Sequence, residues 1–218
     1  MNILVIGNEL NLAECQQKFG AGHAWRHARG SREAEILLNS AEVVFDFLQD
    51  RSSDDMAIYK NKNLVAFFNT SLITLQSLLK NTTIGNTQFF GFCGLPTFLN
   101  RELLEVSIQK ESDLPSLDKI CKQLNTKYTR VADSVGLVTP RIICMIINEA
   151  YYTVEEGTAT RPDIDLAMKL GTNYPFGPFE WGQKIGIAHV YDLLAAVYAA
   201  TRDERYLICQ LLKQEAGR

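Results

Sequence analysis

The sequence lacks the features that mark membrane spans, structural disulfides and metal sites. Its five cysteines are scattered, include no CxxC pair and are odd in number, and only three histidines are present. Such cysteines indicate reduced thiols, and none stands at metal-ligand spacing from a histidine, so we expect no metal site. No apolar run approaches the roughly eighteen residues that a membrane-spanning helix needs, so we expect no membrane partner.

The chain also lacks an excess of positive charge. Its 218 residues include 22 lysines and arginines against 25 aspartates and glutamates, which gives a net charge of −3. A slightly acidic protein is a poor partner for nucleic acid or an anionic membrane. The start, MNILVIG, has no basic segment before its apolar run, unlike a signal peptide, so we expect a cytoplasmic protein.

The pattern of the sequence changes near residue 135. Before it, β-rich runs such as NILVIG, AEVVFDFL and NLVAFFN alternate with helical stretches. This alternation predicts an α/β doubly wound parallel sheet, because parallel neighbours need crossover connections. After it, the helical segments are punctuated by proline and glycine, which predicts an all-α domain. We therefore predict two domains, residues 1–134 and 135–218.

The first helix of the second domain is apolar nearly all round from Ile142 to Ile147. An apolar helix of this kind is expected to be buried. We expect Thr139 as its N-cap and Pro140 in its first turn. Together with the aromatic run YPFGPFEW, it provides more apolar surface than so small a domain can bury, which predicts a homodimer through this domain.

The turn after the first strand, ILVIGNELNLAE, begins like a dinucleotide-binding site. The fingerprint needs glycines at three positions, which are occupied here by Gly7, Glu9 and Leu12. Glu9 places a carboxylate where phosphates would lie, and Leu12 fills the position where helix packs on strand. The fingerprint is therefore degenerate. A basic patch around Arg29, in HAWRHARGSR, could meet the 2′-phosphate of NADP, although a solvated charged edge is the commoner use of such residues.

Residues 155–186, EEGTATRPDIDLAMKLGTNYPFGPFEWGQKIG, resemble the helical domain of the 3-hydroxyacyl-CoA dehydrogenase family. Weaker matches are AEVVFDFLQD, FFNTSLITL and LLEVSI in the first half. The resemblance implies a Rossmann-type domain, a helical domain of the 6-phosphogluconate dehydrogenase C-terminal type, and NAD-dependent oxidation of a 3-hydroxyacyl-CoA in fatty acid metabolism. The chain looks like a shortened, divergent member, because only residues 31–40 stand where the family has a long insertion that contacts CoA.

The resemblance also implies four site positions, two of which are substituted. Ser71 and Glu105 match the family's substrate-binding serine and the glutamate that holds its histidine, although Ser71 could simply cap the following helix. The general-base histidine is replaced by Cys93, and the substrate-binding asparagine by Pro140. A thiol ionises near pH 8.5, so Cys93 is a poor general base, and the alternative is a buried apolar cysteine. Pro140 offers no side-chain donor.

Three functions remain open from the sequence. The first is an NAD-dependent dehydrogenase acting on an acyl-CoA-like substrate, with weak or lost cofactor binding. The second is a non-catalytic paralogue, a dimer that senses a ligand or binds a partner. The third is an NADP-dependent reductase that uses the arginine patch. The chemistry of Glu9, Cys93 and Pro140 favours the second.

Overall fold

The computed structural model describes residues 1–60, 62–80, 82 and 85–218. It contains two compact units, Met1–Leu137 and Val138–Arg218. The division lies three residues after the predicted one. The first unit is an α/β domain and the second is helical, which confirms the predicted fold class.

A seven-stranded sheet forms the centre of the first unit, with the spatial order β2-β1-β3-β4-β5-β6-β7. The strands are Asn2–Ile6 (β1), Ala24–Ala28 (β2), Val43–Asp46 (β3), Val65–Asn69 (β4), Gln88–Phe92 (β5), Leu103–Ile108 (β6) and Lys127–Val131 (β7). The first five strands are parallel. Their carboxyl ends therefore meet at one edge, which is where α/β sheets bind ligands.

The prediction of an entirely parallel sheet is wrong at one pair. β5 and β6 are antiparallel, so β6 and β7 run opposite to the other strands. A parallel connection needs a crossover of a dozen or more residues, usually with a helix. Residues 93–102, which join β5 to β6, contain no helix, so β6 returns in the opposite direction.

Helices cover both faces of the sheet. The helices of the first unit are Glu9–Phe19 (α1), Ser31–Leu37 (α2), Ser53–Ala57 (α3), Leu75–Leu79 (α4) and Leu114–Gln123 (α5). Within β1, Ile3 and Val5 belong to the core cluster that includes residues of α1 and α5. Leu4 and Ile6 belong to the cluster on the other face, with residues of α2 and α4. Burial on both faces explains why the central strands are continuous apolar runs.

The second unit consists of helices Thr139–Glu155 (α6), Arg161–Thr172 (α7), Pro178–Ile185 (α8), Ile187–Thr201 (α9) and Gln210–Glu215 (α10). Each of α6, α7 and α8 has a proline in its first turn, as the sequence predicts. No helix in the described part of the chain is long and apolar enough to cross a membrane.

Two predictions about α6 are wrong in detail. Its N-cap is Val138, and Thr139 is the first helical residue. Burial is also not uniform around the helix, because Ile143 and Ile147 are buried whereas Ile142 is 54% exposed. The apolar side chains of the helix therefore point to more than one side, and the rest of the unit covers only part of them.

The family-like segment that includes DIDLAMKLG has a structural task in the second unit. Both carboxylate oxygens of Asp165 accept bonds from α8, at 2.8 Å from Phe179 N and 3.2 Å from Glu180 N. A Cβ at Gly177 would lie 2.3 Å from the Asp165 carboxyl carbon, so only glycine fits there. Asp165 therefore caps α8 and docks α7 against it. The segment that resembles the family most closely therefore contains residues that pack α7 against α8.

Candidate active site at the carboxyl edge of the sheet

The turn after β1 keeps its first glycine for a local reason. Gly7 has φ of 156°, and a Cβ there would lie 2.5 Å from the side-chain oxygen of Asn11. Gly7 N also donates to Ala28 O at 2.9 Å, which ties the turn to β2. The absence of a side chain at Gly7 thus makes room for Asn11.

Asn8 and Asn11 close the amino end of α1. Asn8 N donates to Asn11 Oδ1 and Asn11 N donates to Asn8 Oδ1, both at 2.9 Å. This reciprocal capping box satisfies two of the backbone amides that a helix leaves unpaired at its start. In dinucleotide-binding domains, the amino end of this helix binds the pyrophosphate. Here two of the amides at this end are already occupied by side chains of the protein.

Glu9 adds a fixed negative charge to the same end of α1. One of its carboxylate oxygens lies 3.5 Å from His27 Nδ1 and 3.4 Å from Arg29 Nη2. A carboxylate in the first turn complements the positive end of the helix dipole, as a bound phosphate would. Leu12 packs, partly buried, against the core, so the third glycine position is filled by apolar packing. The turn does not fit a nicotinamide dinucleotide.

Arg29 does not stand free for a 2′-phosphate. Its guanidinium is paired with Glu9, although its side chain is 78% exposed. Its backbone N–H donates to Glu33 Oε2 at 2.8 Å. A phosphate group would have to compete with the Glu9 carboxylate for this cation. His27, which sequence reasoning missed, lies beside Glu9, and its Nε2 is 2.9 Å from Gly7 O.

Ser71 lies at the carboxyl edge, directly after β4. The reading of Ser71 as a helix cap is wrong: α4 begins at Leu75, and its N-cap is Thr74, whose hydroxyl accepts from Ser77 N at 3.1 Å. Ser71 is fully buried, and its hydroxyl has no hydrogen-bond partner among the described residues. Buried hydroxyl groups are nearly always bonded. The unsatisfied Ser71 hydroxyl is therefore an exception, and it marks this position as a candidate ligand contact.

The register between β5 and β6 relates the position of Cys93 to that of Glu105. The antiparallel register pairs Phe90 with Ile108 and Gly91 with Ser107. Continuing this register past the end of β5 places Cys93 opposite Glu105, so the fold brings the two positions together. Cys93 is 5% exposed. The side-chain oxygen of the buried Asn69 accepts from both Ser71 N and Gly94 N. Ser71 therefore lies beside the segment that carries Cys93.

Arg101 is a charged member of this region that sequence reasoning missed. Burial lowers the pKa of its guanidinium, and the nearby Cys93 and Glu105 oppose that shift. Arg101 also lies over the ring of Phe98, with its central carbon 4.8 Å from the ring centre. Cys93 therefore has the Arg101 cation as well as the Glu105 carboxylate in its surroundings. The sequence signal for Arg101 was a basic residue within the segment GLPTFLNRELLE.

The segment that carries Cys93 and Arg101 is held against α1. Asn100 N donates to the Glu14 carboxylate at 3.4 Å. Burial raises the pKa of Glu14, although backbone N–H groups of the segment lower it. The Lys18 ammonium donates to the carbonyl oxygens of Arg101 and Glu102. α1 thus holds the second half of the β5–β6 connection, at Asn100 through Glu14 and at Arg101 and Glu102 through Lys18.

Pro140, the fourth predicted position, belongs to the second unit. It is buried in the first turn of α6, where its fixed φ and missing N–H suit helix initiation. It offers no donor to a substrate oxygen.

Across the described residues, no group of three His, Cys, Asp or Glu side chains could hold a metal ion. All five cysteines are buried thiols outside any disulfide, and burial raises the pKa of Cys121 and Cys144 to about 12.

The chain is similar to proteins of one enzyme family. Residues 136–217 match the family model of the 3-hydroxyacyl-CoA dehydrogenase C-terminal domain. The 3-hydroxyadipyl-CoA dehydrogenase of Escherichia coli K12 is 42% identical over 95 residues, which are 44% of this chain and 20% of that protein. The 3-hydroxybutyryl-CoA dehydrogenase of Clostridioides difficile is 26% identical over 201 residues, 83% of this chain and 71% of that one.

Solved structures share the fold over the whole chain. The (S)-3-hydroxybutyryl-CoA dehydrogenase PaaH1 of Ralstonia eutropha gives a TM-score of 0.75 at 19% identity, covering 98% of this chain and 92% of that one. The chain spans only a fifth of the E. coli relative and about seven tenths of the C. difficile one. Residues 136–217 thus match the C-terminal domain of the 3-hydroxyacyl-CoA dehydrogenases, and the chain as a whole is similar to enzymes of that family.

Proposed function

We propose that this protein binds an acyl-CoA-like ligand at the carboxyl edge of its sheet and does not catalyse nicotinamide-dependent hydride transfer. The observation that carries the proposal is the closed amino end of α1, where the Asn8–Asn11 capping box and Glu9 occupy the pyrophosphate position. The ligand class comes from the relatives, which are dehydrogenases of 3-hydroxyacyl-CoA compounds. On this proposal the protein is a cytoplasmic ligand-sensing paralogue.

The second candidate is a dehydrogenase that still turns over. One observation favours it: Ser71, Cys93 and Glu105 lie at the carboxyl edge as an enzyme would need, and the Ser71 hydroxyl lacks a partner among the described residues. Both candidates require acyl-CoA binding, but only the dehydrogenase requires a nicotinamide cofactor. The NADP-dependent reductase, the third candidate, is weakened because Glu9 already pairs with Arg29.

Acyl-CoA binding can be tested at Ser71. We expect calorimetry to detect acetoacetyl-CoA binding to the wild type and an affinity about fivefold lower in Ser71→Ala, since one hydrogen bond is worth about 1 kcal/mol. The stability of Ser71→Ala should be unchanged or slightly higher, because the lost hydroxyl has no partner in the described part of the protein.

Ser107→Ala is the matched control for this experiment. Ser107 is equally buried, but its hydroxyl already donates to Asp133 Oδ1 at 3.3 Å. This variant should lose about 1 kcal/mol of stability and keep the affinity of the wild type. No detectable acetoacetyl-CoA binding by the folded wild-type protein would reject the proposed ligand class.

The proposal includes a homodimer through the helical unit. None of the residues of α7 is buried, and its side chains Leu166 and Leu170 are 55% and 78% exposed. These two residues are one helical turn apart and form an apolar stripe that self-association would cover.

Light scattering at micromolar concentration should give twice the chain mass of 24.5 kDa. Leu170→Asp should shift the protein to monomer, because a charge in the interface would be desolvated without a partner. Ile36→Asp is the control, since Ile36 in the first unit is 77% exposed and should tolerate a charge without dissociation. A monomeric wild type would show that the dimer proposal is wrong.

A further inference from the structure

Asn69, the last residue of β4, is bonded to the ends of two neighbouring strands. It is 4% exposed, and every polar atom of its side chain has a partner. Its Nδ2 donates to Phe47 O, just after β3, at 3.2 Å. Its Oδ1 accepts from Gly94 N, just after β5, at 2.9 Å, and from Ser71 N at 3.2 Å. One side chain thus joins the carboxyl ends of three adjacent strands.

The segment after β5 approaches Asn69 closely at Gly94. A Cβ at Gly94 would lie 2.8 Å from the Asn69 side-chain carbonyl carbon and 3.0 Å from the Phe47 ring. Gly94 is therefore required for the close approach of the segment after β5. The bonds of Asn69 fix this segment, including Cys93, and at the same time fix the backbone of Ser71.

We propose that Asn69 is the positioning residue of the candidate site, setting the Ser71 hydroxyl and the Cys93 thiol relative to each other through backbone bonds. The value of this for ligand binding rests on the proposed function. The positioning itself does not. With Asn69 in place, the backbone of Ser71 keeps one position, so its hydroxyl, unpartnered among the described residues, has a defined location for a ligand oxygen, which is the general advantage of a preorganised site.

The second unit contains a matched control. Asn148 in α6 is 2% exposed, and its amide likewise donates to one backbone carbonyl and accepts from a backbone amide beside a cysteine. Its Nδ2 donates to Leu207 O at 2.8 Å, and its Oδ1 accepts from Cys209 N at 2.9 Å. Each asparagine therefore fixes a segment that carries one buried cysteine, Cys93 or Cys209. Loss of either side-chain amide should therefore make only the cysteine of the segment that it fixes more accessible.

The test measures the rate of iodoacetamide labelling of each cysteine by peptide mass spectrometry in the native protein. Asn69→Leu should raise the rate at Cys93 at least tenfold and leave Cys209 unchanged, whereas Asn148→Leu should do the reverse. Cys15, Cys121 and Cys144, which are buried elsewhere, report global unfolding, because that would raise all the rates together. An unchanged rate at Cys93, or an equal rise at Cys209, would overturn the proposal; if all five rates rise together, the variant has unfolded and the same measurement on Asn69→Asp decides.

Ligand affinity provides a readout that a loss of stability alone would not change. With acetoacetyl-CoA as the probe, Asn69→Leu should bind at least tenfold more weakly, and Asn148→Leu should bind like the wild type. Asn69→Asp keeps an acceptor for Ser71 N and Gly94 N, so it should recover part of the affinity and supplies a second variant if Asn69→Leu does not fold. If the wild type binds no acetoacetyl-CoA, the proposed function fails, while the labelling rates still decide the positioning role.

Discussion

Titration of the purified protein with NAD or NADP should show no binding tighter than about 1 mM, which corresponds to about 4 kcal/mol. A dinucleotide gains most of its phosphate binding from free amides and close backbone approach at the first turn. Here Asn8 and Asn11 take two of these amides, and the Glu9 carboxylate would repel the pyrophosphate. Calorimetry with each cofactor is the measurement.

Two variants separate the contribution of charge from that of shape. Glu9→Gln removes the negative charge and keeps the side-chain volume, whereas Glu9→Gly removes both. If charge repulsion dominates, both variants should gain affinity equally; if shape dominates, only Glu9→Gly should gain. Neither should reach micromolar affinity, because the capping box remains closed. A micromolar dissociation constant for the unmodified protein would show that the α1 turn still accepts a dinucleotide.

The general fold could be predicted because it depends on local patterns. Continuous apolar runs such as Ile3–Ile6 and Val65–Phe68 predict strands buried on both faces, and the structure contains them as β1 and β4. The direction of β6 was not predicted, although the signal was present. The ten residues 93–102 contain Gly94 and Pro96 and no helical stretch, so no crossover could form there.

The residues that shape the site depend on contacts between distant parts of the chain. Asn69, Asn11 and Arg101 were not singled out as site residues from the sequence, because their importance follows from the contacts that they make in the fold. Ser71 shows the same limit: a serine before a helical run predicts a cap, but α4 begins later, at Leu75. The positions of Ser71, Cys93 and Glu105 came from the family resemblance, and their roles stay predictions.

With acetoacetyl-CoA and NADH or NADPH, the protein should show no turnover above background. A positioned general base commonly contributes a factor of about 10²–10⁴, and a thiol at Cys93 should supply little of this at neutral pH. One donor to a developing oxyanion can contribute a further factor of about 10²–10³, and Pro140 has none to offer. These losses need not add, because residues that act as a unit do not, but either alone leaves little rate.

Restoring the histidine by Cys93→His should not restore activity on its own. The cofactor would still meet Glu9 and the Asn8–Asn11 capping box, so no hydride donor would be held beside the new base. Rescue should need Cys93→His, Pro140→Asn and a rebuilt glycine turn in one protein. The C. difficile 3-hydroxybutyryl-CoA dehydrogenase, assayed in parallel, is the positive control.

If the unmodified protein instead oxidises NADH with acetoacetyl-CoA at about 1 s⁻¹ or faster, within the usual range of enzymes, the non-catalytic proposal is wrong. The base would then be sought at Cys93, whose surroundings include the Arg101 cation, or at a group from the second subunit of the proposed dimer.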